Sequence, residues 1–390
     1  MSLPGPFGGG GPFGFDLNAL ARLFKSDGPV NWELARQMAP WTATEGETEP
    51  NVEPLRRMRL EELLRVAELN IGAATGLEVS VTGRGLRAAA VTRTEWALRT
   101  LDDYKALLER LAASMTAAPA DVEPEDAPDP LGQLLGNLPQ ILGPMMHGMQ
   151  AGTLVGQLAN RAFGQYGLPV PRPPSDELMV VVSTVDAFAH DWSLSADDVS
   201  LWVLLEEVAH HAVLGLPHVR DRLTSLFLEY AGGFEPDPGS LQEKFEGLDP
   251  MNPASMQEAF ADPAALLGAL QTDAQRALLP RLEAIVVALE GWVDHVMDDV
   301  GRRLVASHGQ LTEALHRRRV EETPSDRFVE RMFGLELGEA QYGRGQAFVA
   351  GVEERAGAAG VARLWESERT LPTPAEVDAP GLWLARLEFE

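Results

Sequence analysis

Residues 201–216 read LWVLLEEVAHHAVLGL, and this stretch decides the fold class that the sequence predicts. Asp197 and Asp198 precede it and Gly215 and Pro217 follow, which is typical of the two ends of an α-helix. Apolar residues occupy every side of the helix, so we expect it to be buried. Helical periodicity recurs through most of the chain. The sequence therefore predicts a mainly α fold, a multi-helix domain with a minor element of short strands.

Four ionisable side chains interrupt this apolar helix within a single turn: Glu206, Glu207, His210 and His211. At about 100° per residue they share one arc of roughly 140°. A solvated face would stay polar over several turns, whereas a single polar turn is typical of side chains that converge on a small cavity. Because an unpaired buried charge is costly, these groups need partners. A divalent cation is one possible partner, and a buried Glu–His hydrogen-bond network is the other.

The composition limits what the protein can bind. Among its 390 residues, 58 are acidic and 32 are basic, and the resulting charge of −26 disfavours nucleic acid and anionic membranes as partners. The chain contains no cysteine, so a metal would have to be held by histidine and carboxylate side chains. The first residues lack the features of a signal peptide, which predicts a cytoplasmic protein. We expect the substrate to be a peptide or another small molecule.

Changes in composition divide the chain into three predicted regions. Residues 1–15 form a flexible Gly/Pro-rich tail, 16–130 an N-terminal helical region with a short strand and acidic linkers, and 131–390 a helical domain that carries the candidate site. The individual elements predicted are helices at 16–24, 55–69 and 92–115, strands at 77–82 and 178–182, and linkers at 42–54 and 117–130.

Residues 131–159 carry no formal charge apart from any on His147. The stretch is long enough to span a bilayer, but its prolines and its Asn and Gln side chains disfavour that interpretation. Gly148, Gly152 and Gly156 are four residues apart, so they line one helix face and allow another backbone to approach closely. We therefore predict a buried helical hairpin without membrane contact.

The five residues Glu206 to His210 resemble the HExxH motif of metallopeptidases, with Glu206 in the place of the first histidine. Most of the chain from about 131 to 382 is similar to an actinobacterial family of zincin-like hydrolases, zinc-dependent and of the gluzincin type. The segments that carry this resemblance are AFAHDW (187–192), LWV (201–203), HAVLGLPHVR (211–220), LEGWVDHVMD (289–298), and residues 144–174 and 341–348.

The resemblance implies a zinc-dependent, metalloprotease-like hydrolase. It makes Glu207 the general base that activates a zinc-held water, and His210 a zinc ligand. Glu290 and Asp294 match the Glu-x-x-x-Asp spacing that supplies a further ligand on a later helix. Glu290 also interrupts an apolar run, 284–289, so it is either a ligand or part of a helix–helix ion pair.

Three further residues complete the predicted site. Asp294, one turn beyond the predicted ligand on its helix, and His211 are expected to orient the ligands from behind. Tyr342 is a candidate for stabilising a developing oxyanion, although a single tyrosine is also common in a core.

The replacement of a histidine by Glu206 leaves several functions open. A carboxylate ligand adds negative charge, which makes zinc less Lewis-acidic and suits harder metals. The chain could be an active zinc enzyme, an enzyme that uses another divalent metal, or a catalytically degenerate scaffold that binds partners. A second alternative is a di-metal oxidoreductase, because Glu313-x-x-His316 repeats the spacing of Glu207-x-x-His210 and Glu206 and Glu290 could add carboxylates. Glu313 lies in a polar, basic helix, however, and we expect it to be solvated.

Overall fold

The computed structural model describes residues 28–116, 130–234, 271–320, 330–335 and 337–388. The tail at 1–15 and the helix predicted at 16–24 lie outside the described residues. Helices dominate the fold and the strands are short, as predicted. In chain order the helices are α1 (Trp32–Thr44), α2 (Pro54–Thr75), α3 (Arg93–Asp103), α4 (Lys105–Thr116), α5 (Pro130–Arg161), α6 (Val182–Asp191), α7 (Ala196–Leu214), α8 (Pro217–Ala231), α9 (Asp273–Leu304), α10 (His308–Val320), α11 (Glu339–Ala362), α12 (Pro374–Val377) and α13 (Pro380–Glu388), and the strands are β1 (Arg87–Val91) and β2 (Glu177–Val181).

Helix α7 is the buried helix that its sequence predicts. The Ser195 side chain caps its first turn by accepting from the backbone N–H of Asp198, and 15 of its 19 residues are buried. Helices α2, α6, α8 and α9 and strand β2 pack around it. The ionisable turn of α7 therefore lies inside the protein, where its side chains need protein partners or a bound ligand.

Residues 131–159 belong to one continuous 32-residue helix, α5, so the predicted hairpin is wrong. The glycine face nevertheless allows the close approach that we expected. A Cβ atom on Gly152 would lie 2.6 Å from the carbonyl oxygen of Ala35, and Gly148 and Gly156 are equally crowded by α1 and its N-cap. Because α1 supplies the second backbone, the segment has no need to fold back on itself.

Within the described residues, no single helix is both long and apolar enough to cross a membrane. Helices α7 and α8 reach the required length and composition only when they are taken together, across a bend of 87°.

The two strands form a parallel pair in which Arg87 lies opposite Glu177 and Val91 opposite Val181. The strand predicted at 178–182 is confirmed as β2, whereas the strand predicted at 77–82 is wrong. Strand β1 reads RAAAV, and its alanines carry little β propensity, which explains why the sequence pattern does not reveal it.

The segment predicted as a strand is held instead by one buried carboxylate. The backbone N–H of Val81 donates to Asp176 Oδ1 at 2.6 Å, and that of Thr82 donates to Oδ2 at 3.0 Å. The hydroxyls of Ser80 and Thr82 donate to the same carboxylate. These hydrogen bonds lower the pKa of Asp176, although burial alone would raise it. Because a side chain satisfies these amides, they do not pair with a strand.

Two other boundaries differ from the prediction. The helix predicted at 92–115 is divided at Tyr104, whose φ of −93° and ψ of 8° end α3 before α4 begins. Tyr104 is buried beneath the guanidinium of Arg172, 4.9 Å from its ring centre, so this packing interrupts the amphipathic pattern. The linker predicted from residue 42 begins three residues late, because α1 continues to Thr44.

Candidate metal centre

The polar turn of α7 opens into a cleft of about 220 Å³. Helix α7 contributes Glu206, Glu207 and His210 to its lining, α9 contributes Glu290, and α11 contributes Tyr342. Residues that the sequence analysis selected from three separate helices therefore line one cavity.

His210 and Glu290 form a buried pair at the base of this cleft. His210 Nε2 lies 3.1 Å from Glu290 Oε1, and the two side chains are only 4% and 8% exposed. His210 Nδ1 lies 2.9 Å from the carbonyl oxygen of Glu206, to which it must donate. Burial alone would lower the pKa of His210, but the charge and hydrogen bond of Glu290 outweigh it and raise this pKa to about 9. The imidazole is therefore a cation that donates from both nitrogens.

A glycine contact fixes the helices that carry Glu290 and Tyr342. A Cβ atom on Gly291 would lie 2.2 Å from the backbone of Gly345, so α9 and α11 cross with their main chains in contact. Tyr342 precedes this crossing by three residues, about one helical turn. Tyr342 and Glu290 both line the cleft next to this crossing.

Glu207 is buried, and two backbone amides orient its carboxylate. Its Oε2 accepts from the N–H of Gln165 at 2.9 Å, and its Oε1 accepts from the N–H of Tyr166 at 3.1 Å. A Cβ atom on Gly164 would lie 2.2 Å from Glu207 Cδ, so only glycine fits there. Burial raises the pKa of Glu207 to about 7, against the opposing influence of His210 and the two amides. This carboxyl group can therefore exchange a proton near neutral pH.

His211 lies behind the cleft and contacts the segment that holds Glu207. The hydroxyl of Tyr166 lies 2.8 Å from His211 Nδ1, and burial lowers the pKa of His211 to about 4. The imidazole is consequently neutral, and it shares one hydrogen bond with the tyrosine hydroxyl. Among the described residues, His211 Nε2 is buried and has no hydrogen-bond partner.

Asp294 is not brought to the same cleft. Its carboxylate accepts from Gln346 Nε2 at 2.9 Å and lines a separate cavity. Asp294 was predicted to orient the metal ligands, and Nδ1 of the ligand candidate His210 lies against the backbone carbonyl of Glu206.

The segment 164–166 is the part of the site that sequence reasoning missed. Trp96 Nε1 donates to the carbonyl of Gly164 at 2.8 Å, and Arg172 Nε donates to that of Gln165 at 3.1 Å. These contacts hold the two amides that bind Glu207. Because the groups that bind Glu207 are main-chain amides, no side-chain motif identifies them. The resemblance over residues 144–174 was the one signal in the sequence that pointed to this segment.

The donor atoms in the cleft suit a divalent metal. Two donors bound to one zinc ion at about 2.0–2.2 Å lie roughly 3.3 Å apart in a tetrahedral site, and the 3.1 Å between His210 Nε2 and Glu290 Oε1 is close to that spacing. Glu206 lines the same cleft and is half-buried. In the described parts of the chain no three His, Asp or Glu side chains already converge as a ligand set, so Glu206 would have to turn inward. One imidazole and two carboxylates fit zinc or a harder divalent ion.

The second Glu-x-x-His pair does not join this centre. Glu313 Oε1 accepts from Arg317 Nε at 2.7 Å, and both side chains are more than half exposed. Glu313 and His316 line the cavity that also contains Asp294, apart from the cleft of His210. The predicted solvation of Glu313 is confirmed, and the structure does not assemble the di-metal cluster.

Comparisons with known proteins also relate this chain to metallopeptidases and hydrolases. A family model described as zincin-like metallopeptidase matches residues 30–384. The solved structure of a candidate hydrolase with a novel fold from Chloroflexus aurantiacus is 25% identical and superposes with a TM-score of 0.62. That match covers 93% of this chain and 99% of the other. No curated protein matches the sequence significantly.

Proposed function

The chain belongs to the family of zincin-like metallopeptidases, and from this premise we propose that it is a metal-dependent hydrolase of peptides or related amides. Glu206, His210 and Glu290 would hold the metal, with zinc as the expected ion and a harder divalent ion as the alternative. The observation that carries the proposal is the meeting of His210 with Glu290, 80 residues away, in a cleft that Glu206 and Glu207 also line.

Electrostatics supports a cation at this position. His210 is influenced by three carboxylates, those of Glu290, Glu206 and Glu207. Grouping carboxylates around one imidazole in a partly buried cleft is costly unless positive charge compensates those that are ionised. A divalent ion held by Glu206, His210 and Glu290 would supply that positive charge.

The bound metal would polarise the substrate carbonyl and the attacking water. Glu207 would accept the proton of that water, because its pKa of about 7 allows it to take up and release a proton near neutral pH. The amide of Gln165 donates to Oε2 of its carboxylate and the amide of Tyr166 donates to both oxygens, so the backbone fixes the orientation of the carboxylate. Tyr342 would donate a hydrogen bond to the oxyanion that develops on the substrate.

The metal content of the purified chain tests this proposal. We expect about one divalent ion per chain by inductively coupled plasma mass spectrometry, and a loss of most of it in His210→Ala and in Glu290→Ala, because each removes a ligand. His316→Ala is the matched control, a histidine at the same Glu-x-x-His spacing in the other cavity, and it should retain the metal.

A variant that keeps the ligands separates metal binding from catalysis. Glu207→Gln should retain the metal and lower the hydrolysis of a mixed fluorogenic peptide library by roughly 10²–10⁴-fold. Absence of metal from the wild-type chain, or unchanged metal content in both ligand variants, would show instead that the fold serves as a scaffold without this chemistry.

A further inference from the structure

Helix α2 carries an apolar stripe on a face that the described residues leave open to solvent. Leu55, Met58 and Leu69 are 75%, 62% and 72% exposed, and Val66 is 39% exposed. At about 100° per residue, these four side chains fall within roughly 80° of one another around the helix axis. Isolated apolar side chains are normal on a protein surface, but a group on one face is typical of an interaction site. We call these four residues the α2 stripe.

The other sides of α2 are occupied by the protein itself. Leu60 and Leu64 face the core and are buried. On one flank the Glu61 carboxylate accepts from a backbone N–H of β1 at 3.1 Å, and on the other flank Arg56 pairs with Asp186 of α6 at 2.6 Å. The helix is therefore anchored on three sides, and the remaining side carries the stripe.

The face that carries the stripe is symmetric about Glu62, which lies at its centre. The residues three, four and seven positions before Glu62 match those at the same distances after it, as two arginines, two apolar residues and two leucines. These pairs are Arg59 and Arg65, Met58 and Val66, and Leu55 and Leu69. When two copies of one helix pack antiparallel about a twofold axis, each residue lies level with the one at the equal distance beyond that axis. With the axis at Glu62, leucine meets leucine and Met58 meets Val66.

The charges at the centre of this face also favour a second copy. Glu62 Oε2 accepts from Arg59 Nη1 at 2.8 Å, and Arg59 Nη2 lies 2.9 Å from Asp197 Oδ2. One cation therefore serves two carboxylates, which leaves this group with a net negative charge. The Arg65 side chain is exposed and has no ion pair or hydrogen bond within the described part of the chain. In the antiparallel pair, Arg65 of the second copy lies three residues from Glu62, about 4.5 Å along the axis, and can neutralise that charge.

We propose that the α2 stripe docks onto the same stripe of a second copy of this chain, with the two helices antiparallel and the twofold axis at Glu62. None of the four stripe residues lines the metal cleft, so the inference stands apart from the proposed function. Four apolar side chains on each copy make a small interface, in the class of weak association below about 1,200 Å² of total area. We therefore expect a dimer that exchanges with the monomer at micromolar concentrations.

Sedimentation velocity of the full chain tests the proposal. At physiological salt, which screens the net charge of −26, the average mass should rise from one chain toward two between about 1 µM and about 1 mM. Leu69→Glu places a charge in the stripe and should remain monomeric over the same range. Leu382→Glu is the matched control, because Leu382 is 57% exposed on α13, outside the stripe, and this variant should dimerise as the wild type does.

Three outcomes of that experiment would overturn the inference: a wild-type chain that stays monomeric and so leaves the stripe to a different partner, an unchanged dimer in Leu69→Glu, or an equal loss in Leu382→Glu. If circular dichroism shows that Leu69→Glu is unfolded, Leu55→Glu decides by the same criteria.

Reversal of charge tests the contact across the axis. Arg65→Glu turns two attractions between the copies into two repulsions, so the Kd of the dimer should rise roughly tenfold. Adding Glu62→Arg to the same chain should restore most of the affinity, because opposite charges face each other again. An unchanged Kd in Arg65→Glu, or no recovery in the double variant, would contradict the pairing.

The absence of cysteine allows a direct test of the arrangement. Glu62→Cys supplies a single thiol on the twofold axis, beside the same thiol of the second copy, so mild oxidation should join two chains through a disulfide. Leu382→Cys places a thiol at a comparably exposed position elsewhere and should stay largely unlinked. If Glu62→Cys forms linked dimers no faster than Leu382→Cys, the antiparallel arrangement is wrong.

Discussion

Helices α7 and α10 carry the same Glu-x-x-His spacing and use it in opposite ways. On α7, His210 is buried and pairs with Glu290, 80 residues away, while Glu207 is held by the backbone of a neighbouring segment. On α10, Glu313 is exposed and pairs with Arg317, one turn along the same helix. Spacing therefore sets which side chains share a face, and the surroundings decide whether those side chains form a site.

The energies of the two clusters should differ accordingly. Exposed ion pairs contribute about 0–1 kcal/mol, because water and salt screen them. Removing one partner of a buried pair costs about 3–5 kcal/mol, because the other charge remains buried without compensation. Three experiments test this contrast.

The largest effect is expected from Glu290→Ala. In protein stripped of metal with a chelator, it should lower the free energy of unfolding by about 3–5 kcal/mol, since it leaves the His210 imidazolium buried without its partner. Glu313→Ala removes a carboxylate from the exposed cluster and should cost under about 1 kcal/mol. Urea denaturation followed by circular dichroism measures both. Equal losses in the two variants would contradict the contrast.

The free energy of unfolding should also depend on pH because of the His210–Glu290 pair. The pKa of His210 is raised from 6.5 to about 9 in the folded protein, so its contribution is fully present below pH 6.5 and is lost as the pH rises through 9. We expect a loss on the order of 3–4 kcal/mol across this window in metal-free protein, because the pKa rises from 6.5 to about 9 and one pKa unit corresponds to about 1.4 kcal/mol. Glu290→Gln should flatten the profile. Parallel profiles for the two proteins would rule out the pair as its source.

A smaller loss of stability is expected when the Tyr166–His211 hydrogen bond behind the cleft is removed. Tyr166→Phe removes the hydroxyl that is hydrogen-bonded to His211 Nδ1 and leaves that buried nitrogen without this partner, which should cost about 1–2 kcal/mol. The comparison variant on α10 is Thr312→Val, which removes a hydroxyl that donates to the His308 carbonyl within its own helix. We expect a change within about 0.5 kcal/mol there. Thermal unfolding at equal pH distinguishes these values, and a larger loss in Thr312→Val would reverse the expected order.

Much of the fold was predictable because α7 and the glycine face of α5 have strong local patterns. An all-apolar helix with one polar turn has few interpretations, and glycines four residues apart permit a close helix contact whatever the partner is. The identity of that partner, α1, depends on a contact more than 100 residues away along the chain, and periodicity contains no information about it.

The candidate site was also predictable in part: its side chains could be selected from the sequence, but the backbone contacts that orient them could not. Glu206, Glu207, His210, Glu290 and Tyr342 were selected from sequence and line one cleft. The two hydrogen bonds that orient Glu207 could not be predicted, because they come from the backbone N–H groups of Gln165 and Tyr166. Every residue except proline has such a group, so no sequence pattern marks these two. The strand predicted at 77–82 failed for a related reason. Its alternation is real, but one carboxylate, Asp176, satisfies the amides that a strand partner would otherwise bind.

The parallel pairing of β1 with β2 has a consequence for how the protein is made. Arg87 pairs with Glu177, 90 positions later, and the entropy of closing so long a loop opposes this contact until the intervening helices condense. Glu290 leaves the ribosome 80 residues after His210, so the imidazole is synthesised well before its partner exists. The cleft should therefore be among the last parts to assemble during translation, and a nascent chain shorter than 290 residues has no complete cleft.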